Sequence, residues 1–362
     1  MIDYIDWRGD LTFESDAFNE VDNFIFCMLS YVDFNRIYDS YNPDVKIGIK
    51  DAAEEFVKTH DKKSLKALGV IIPWENIRKM LYKMGKSQRF SPVQVSDFTN
   101  EIDYEREMQF CAMTFHLNAD EMLVCFRGTD ETLVAWKEDF RLSYLNEIPA
   151  QKRASEYLLQ IAEKFPDKKI YVGGHSKGGN LAKYSSVCVT DEVLERIDAI
   201  YNNDGPGFLP DIVSSERFAR IESKVKNFVP QSSLVGQMFL HKGQRIIVRS
   251  NYRGVYQHDI FGWEIKGTHA VTVKSFTASG ELNHEIFNTR INGMTLDERR
   301  EFVDIFCNII DSTGAKNLLD LSEARAKSAA LVLKSYGELE KEKKQLMQSC
   351  LTRLFDLKNL KK

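Results

Sequence analysis

Apolar positions change their spacing along this chain, and the changes predict its elements. Phe18, Val21, Phe24, Ile25, Met28, Leu29 and Val32 recur every three or four residues, which is helical spacing. Two further helical stretches are predicted near 51–59 and 74–84. Glu107–His116 and Glu121–Arg127 then read as two strands, with Asn118-Ala119-Asp120 as the turn between them. Beyond residue 150 the pattern becomes strand, helix, strand, helix. Gln151–Lys164 and Lys177–Val189 are predicted helices. Lys169–Gly173, Arg196–Tyr201, Lys224–Val229 and Arg245–Arg249 are predicted short strands. Such alternation implies a mostly parallel central sheet with helices on both faces.

The chain ends differently. Thr295-Leu296-Asp297-Glu298 matches a capping box before an apolar helix reaching Ile310, and Gly314 suits its end. Residues 318–360 predict one or two more helices, with Leu331, Leu339, Leu346, Leu351 and Leu354 on spaced positions. The expected organisation is a domain over 1–294 and a helical extension over 295–362. The extension is expected to pack on the domain as a hairpin, with an oligomerising arm as the alternative.

Composition adds limits. The 362 residues are 43% hydrophobic and 28% charged, ordinary for a globular protein, and the net charge is −4. No basic face is indicated, so nucleic acid is not an expected partner. The N-terminus carries Asp3 and Asp6 where a signal peptide needs basic residues, and no apolar run could span a membrane. The expectation is a cytoplasmic protein without a transmembrane span. Six cysteines lie far apart among mostly apolar neighbours and read as reduced core thiols. No residues show metal-ligand spacing, and no cofactor is implied.

The chemistry concentrates in Ile170-Tyr171-Val172-Gly173-Gly174-His175-Ser176-Lys177-Gly178-Gly179-Asn180-Leu181-Ala182. An apolar strand enters Gly174-x-Ser176-x-Gly178 and a helix leaves it, the context of a nucleophile elbow. The glycines keep side chains out of a sharp, strained turn. The following helix directs free N–H groups and its dipole at the same spot, and the N–H of Lys177 is the expected first oxyanion donor. Serine also needs a base held by an acid. Asp204 is the leading acid. It closes a strand before Gly205-Pro206-Gly207, where α/β sheets place functional side chains. Asp211 is its competitor. His258 is the leading base, beyond the last sheet strand and Gly254; His269 is the second choice, and His241 and His284 rank lower.

These residues resemble a known group. Gly174-His175-Ser176-Lys177-Gly178-Gly179 and Val124-Cys125-Phe126-Arg127-Gly128-Thr129-Asp130, followed by Trp136 and Asp139, are similar to motifs of the class 3 lipases of the α/β-hydrolase fold. The resemblance implies a second oxyanion donor at Thr129, through its N–H and hydroxyl, a lid region at Glu131–Asp139, and a histidine loop at His258-Asp259-Ile260-Phe261-Gly262. Trp7-Arg8-Gly9-Asp10-Leu11, Phe18-Asn19-Glu20-Val21-Asp22, Leu29-Ser30-Tyr31, Asp204-Gly205-Pro206-Gly207-Phe208 and Gln257-His258-Asp259 further resemble an uncharacterised bacterial lipase-like branch over roughly residues 1–270. One departure stands out. Class 3 lipases take their acid from the loop after the next strand, here Val229-Pro230-Gln231-Ser232-Ser233-Leu234, which has no carboxylate.

The implied activity is hydrolysis of a carboxylic ester, with a lipid acyl ester as one candidate. A thioesterase or acyltransferase would use the same residues. The rival class is a non-catalytic binding protein that keeps the fold.

Overall fold

The computed structural model describes residues 1–34, 45–60 and 72–355. Eight strands form one sheet in the order in which they occur along the chain: β1 (Ile47–Gly48), β2 (Gln94–Asp103), β3 (Met108–His116), β4 (Glu121–Phe126), β5 (Lys169–His175), β6 (Ile197–Asn203), β7 (Val225–Pro230) and β8 (Arg245–Val248). The β1 to β4 pairings are antiparallel. The four pairings from β4 to β8 are parallel. This mostly parallel sheet between helical layers is an α/β-hydrolase-like fold.

Sequential order has a physical consequence. Parallel neighbours are joined by right-handed crossovers, so a sheet that grows in one direction sends its crossover helices to one face. Helices α6 (Pro149–Lys164) and α7 (Lys177–Cys188) lie there. Their Leu158, Ile161, Leu181 and Ala182 pack on Met122, Val124, Phe126, Ile170, Val172 and Ile200. The opposite face must be covered from elsewhere. Helices α1 (Ile2–Arg8), α2 (Glu20–Leu29), α3 (Ile49–Thr59) and α4 (Trp74–Met84) cover it. Phe24, Phe26 and Cys27 of α2 join Leu123, Cys125, Tyr171, Ala199, Tyr201 and Phe228 in that core. Alternate residues of each strand therefore serve opposite cores, as the two-residue period requires.

Helix α2 is locked in place. Asn19 caps it in a full capping box with Asp22. Asp22 is fully buried and accepts both Nε (2.9 Å) and Nη2 (2.5 Å) of buried Arg89. Arg89 also donates to the carbonyls of Leu11, Asp16 and Ala17, so its buried charge is fully engaged.

The expected helices and strands after residue 100 appear with ends shifted by one to two residues. Strand β2 was not anticipated. The C-terminal stretch also differs: among the described residues it forms three helices, not one or two. These are Leu318–Glu323, Arg325–Glu338 and Lys341–Phe355, following Leu296–Asp311. Gly314, at φ +72°, lies three residues past that helix's last residue. Both bonds of the Thr295–Glu298 capping box are present. Leu339 and Leu346 pack with Ile305, Ile309 and Met347 in a small separate core; Leu351 is exposed. This region is strapped to helix α5 (Leu133–Arg141), which overlaps the expected lid segment. The N–H of Leu133 donates to the Lys316 carbonyl and that of Leu318 to the Glu131 carbonyl, both at 2.9 Å. No helix among the described residues is long and apolar enough to cross a membrane. All six cysteines are free thiols, with the Sγ atoms of Cys27 and Cys125 3.8 Å apart.

Candidate active site

The turn from β5 to α7 places Ser176 at φ 59°, ψ −131°. A non-glycine residue pays for such a backbone, of order 1–3 kcal/mol, and the surroundings must hold it there. They do. The Ser176 N–H donates to the Asn203 carbonyl at 3.0 Å, and the N–H of Gly179 returns to the Ser176 carbonyl at 2.9 Å. A Cβ on Gly174 would lie 2.2 Å from the Gly178 carbonyl, and one on Gly178 would lie 2.1 Å from the Phe126 carbonyl. The glycines thus let three backbone segments touch. Residues 170–175 and 177–187 are buried, whereas Ser176 is half-exposed. The bend lifts one residue out of the packing.

Asp204 directly follows the next strand, β6, and also has a left-handed backbone, φ 51°. Its carboxylate is fully buried. Oδ2 bonds His258 Nδ1 at 2.7 Å, while Oδ1 accepts Ser233 Oγ at 2.6 Å and the Gly236 N–H at 3.1 Å. Burial pushes the Asp204 carboxyl above its ordinary range, and the bonds from His258, Ser233 and Gly236 oppose that push. The 231–237 loop, which carries no acid, thus supplies donors to an acid from the neighbouring strand. A Cβ on Gly236 would stand 2.2 Å from Asp204 Oδ1, so that approach requires glycine.

His258 ends a short 3-10 turn, Gly254–His258, and its side chain is 28% exposed. The expected acid and base are therefore hydrogen-bonded. Ser176 Oγ makes no hydrogen bond among the described residues, so the structure bonds the expected acid to the expected base but not the expected nucleophile to either; catalytic hydrogen bonds are often long without substrate and tighten when it binds. The ring of His175, next to Ser176, lies 4.4 Å from the His258 ring.

The competitors are placed elsewhere. Asp211 is exposed and accepts from Asn146 Nδ2 at 3.1 Å. His269 is 73% exposed beside Glu20. His241 lies 3.5 Å from Lys183 Nζ. His284 lies on a peripheral helix, Ala278–Glu285.

The 127–139 segment meets the elbow. A Cβ on Gly128 would lie 3.0 Å from Ser176 Cβ, and Thr129 is the next residue along the chain. Thr129 Oγ1 donates to Asp139 Oδ2 at 2.5 Å. Burial raises the Asp139 carboxyl to about 6, against the pull of Lys177 and the Thr129 bond. The Lys177 side chain turns away into the protein: Nζ reaches the Gln109 carbonyl (2.9 Å), Gln109 Oε1 (2.7 Å) and buried Glu138 Oε2 (2.9 Å). Glu138 also accepts the N–H groups of Ala150 and Gln109. No group of side chains with metal-ligand geometry occurs among the described residues.

Sequence reasoning missed Ser233, Gly236, Glu138 and Tyr31 of this neighbourhood. Ser233 was within the loop noted for lacking an acid, and Gly236 lies two residues beyond it. Tyr31 was noted only as part of Leu29-Ser30-Tyr31 and Glu138 only within the expected lid region; their contacts to His175 and Lys177 were not legible, because those partners are remote in sequence.

No curated protein matches the chain. Among solved structures it is similar to M37 lipase, at 14% identity over 61% of this chain and 70% of that one, with a TM-score of 0.38. The model of the Mbeg1-like family matches residues 84–308. Residues 1–83, with α1 to α3 and most of α4, lie outside the match, as do most of the C-terminal helices. On that match, the chain belongs to the Mbeg1-like family, a lipase-like family.

Proposed function

We propose that this lipase-like hydrolase cleaves a carboxylic ester through an acyl-enzyme on Ser176. The observation that carries the reading is the 2.7 Å bond between buried Asp204 and His258 Nδ1. It commits Nδ1 to the acid and leaves Nε2 free for the nucleophile's proton. In the reaction, Ser176 Oγ attacks the acyl carbon and its proton passes to His258 Nε2. The same proton then goes to the departing alcohol. Water, deprotonated by His258, hydrolyses the acyl-enzyme in the second half. Asp204 stabilises the imidazolium throughout. The N–H groups of Thr129 and Lys177 hold the oxyanion, each worth on the order of 10²–10³ in rate.

An apolar acyl group is favoured over a polar one by the loop that carries His258. Val255 and Tyr256 stand 62% and 75% exposed, two to three residues before the imidazole. Two large apolar side chains left exposed this close in sequence to His258 support an apolar group as the one the loop meets.

A fluorophosphonate probe tests the reading. One adduct per chain is expected, located on Ser176 and absent from Ser176→Ala. An unlabelled, folded wild-type protein would favour the non-catalytic binding class. A panel of p-nitrophenyl esters with short and long acyl chains, with an acyl thioester beside them, then orders the substrate classes. Faster turnover of the longer esters is expected.

A further inference from the structure

We propose that Tyr31 and His175 form a positioning pair that locks the His258 loop against the nucleophile, so that the N-terminal helical layer, outside the family match, completes the active site. The proposal rests on the ester-hydrolase reading above.

His175 bridges two parts of the molecule that are far apart in sequence. Its Nε2 lies 2.8 Å from the backbone carbonyl oxygen of His258, and its Nδ1 lies 2.9 Å from the Tyr31 hydroxyl. A carbonyl oxygen only accepts, so Nε2 must carry a proton. The ring is fully enclosed, and burial together with neighbouring His258 holds it neutral, well below its ordinary pKa. A neutral imidazole with its proton on Nε2 has a bare Nδ1, which accepts the Tyr31 O–H. The chain therefore runs in one direction only: Tyr31 O–H to His175 Nδ1, then His175 Nε2–H to the His258 carbonyl.

Each end of this chain touches the reaction centre. The His258 carbonyl belongs to the residue whose ring bonds Asp204. The Tyr31 hydroxyl is packed so closely against Gly128 that a Cβ there would lie 2.5 Å away. Gly128 precedes Thr129, the oxyanion residue, and abuts Ser176. Tyr31 is itself rigid. It is buried, and it leaves helix α2, which the Arg89–Asp22 pair anchors. Losing the Tyr31 hydroxyl frees His175 to change tautomer. With the proton on Nδ1, nothing donates to the His258 carbonyl and the loop is released. Neutrality of His175 matters too: its ring is 4.4 Å from the His258 ring, which must become a cation in catalysis, and a charged neighbour would oppose that.

The test combines three variants with one spectroscopic measurement. Tyr31→Phe deletes one oxygen and should slow fluorophosphonate labelling and kcat about tenfold with KM unchanged, while His175→Leu should cost about a hundredfold, the scale of a misplaced catalytic group. His175→Gln retains an N–H donor at about the reach of Nε2 and should recover most of the loss, which a packing role would not produce. The ¹⁵N spectrum of the wild-type protein should show His175 protonated on Nε2, and that of Tyr31→Phe a mixture of tautomers. Wild-type labelling rates in Tyr31→Phe, or a His175 proton on Nδ1 in the wild type, would overturn the proposal. Should His175→Leu fail to fold, Tyr31→Phe and the tautomer carry the test. If the wild-type protein itself takes no label, the hydrolase reading falls, and the tautomer alone decides whether the chain of bonds exists.

Discussion

The Ser176 turn and the His258 corner sit side by side, yet they are built in opposite ways. The turn is backbone against backbone: Gly174 against Gly178, Gly178 against Phe126, with Ser176 strained between them. Its tolerance is set by sterics, and a single methyl group is too much. The corner is side chain against side chain across long sequence distances. Asp204 meets His258, Ser233 and Gly236, and His175 meets Tyr31 and the His258 carbonyl. Its tolerance is set by hydrogen bonds, each individually modest. The first construction should fail by unfolding, and the second by losing rate while the fold survives.

Asp204→Asn should separate the two most sharply. The amide is close in shape to the carboxylate but cannot hold the imidazole in the required tautomer, so kcat is expected to fall by about 10⁴. Thermal unfolding should confirm that the protein remains folded. Gly178→Ala should do the reverse. With a Cβ placed 2.1 Å from the Phe126 carbonyl, the backbone must move. Stability should drop by about 4 kcal/mol or more, on the scale reserved for strained, overpacked sites, as a urea titration would measure. Ser233→Ala removes one of the two donors to Asp204 Oδ1 and should lower kcat/KM about tenfold, in line with one hydrogen bond to a charged group. If it does not, the Gly236 N–H alone suffices to hold the acid.

The smallest expected effect is on pH dependence. Burial raises both Asp139 and Asp259 to about 6. An acid with a raised pKa in the folded state binds its proton more tightly there than in the unfolded chain. The stabilisation is therefore complete below the ordinary aspartate range and is lost as pH rises through about 6. Stability should fall between about pH 4 and 6 as pH increases. Asp139→Asn should shrink that slope without abolishing it, since Asp259 and Asp204 also titrate upward. Thermal melts across the range provide the check.

The same contrast explains what could be read from the sequence. Nearly all of the elbow was legible, because its requirements are local: strand, glycine, serine, glycine, helix. Asp204 and His258 were legible as candidates because each follows a strand near turn residues. Their partners were not. Ser233 and Gly236 lie in a loop whose lack of a carboxylate hid its use as a donor, and Tyr31 acts on His175 across 144 positions. Strand β2 escaped for another reason. Its residues Gln94–Asp103 are largely polar, and a register shift between Ser96 and Thr99, with Asp97 at φ 55°, breaks the alternation that marks a strand. The three C-terminal helices merged into fewer in the sequence because only spaced leucines were visible there. The break at Leu339 rests on a local change of backbone conformation.

The central claim is that Ser176 is acylated with the help of His258. Mixing the protein with excess p-nitrophenyl acetate and mapping the trapped acyl group by peptide mass spectrometry addresses it directly. The account expects one acyl group per chain on Ser176, formed at least a thousandfold more slowly in His258→Ala, as loss of a catalytic triad member dictates. An acyl group found on another residue, or a His258→Ala protein acylated at the wild-type rate, would contradict it.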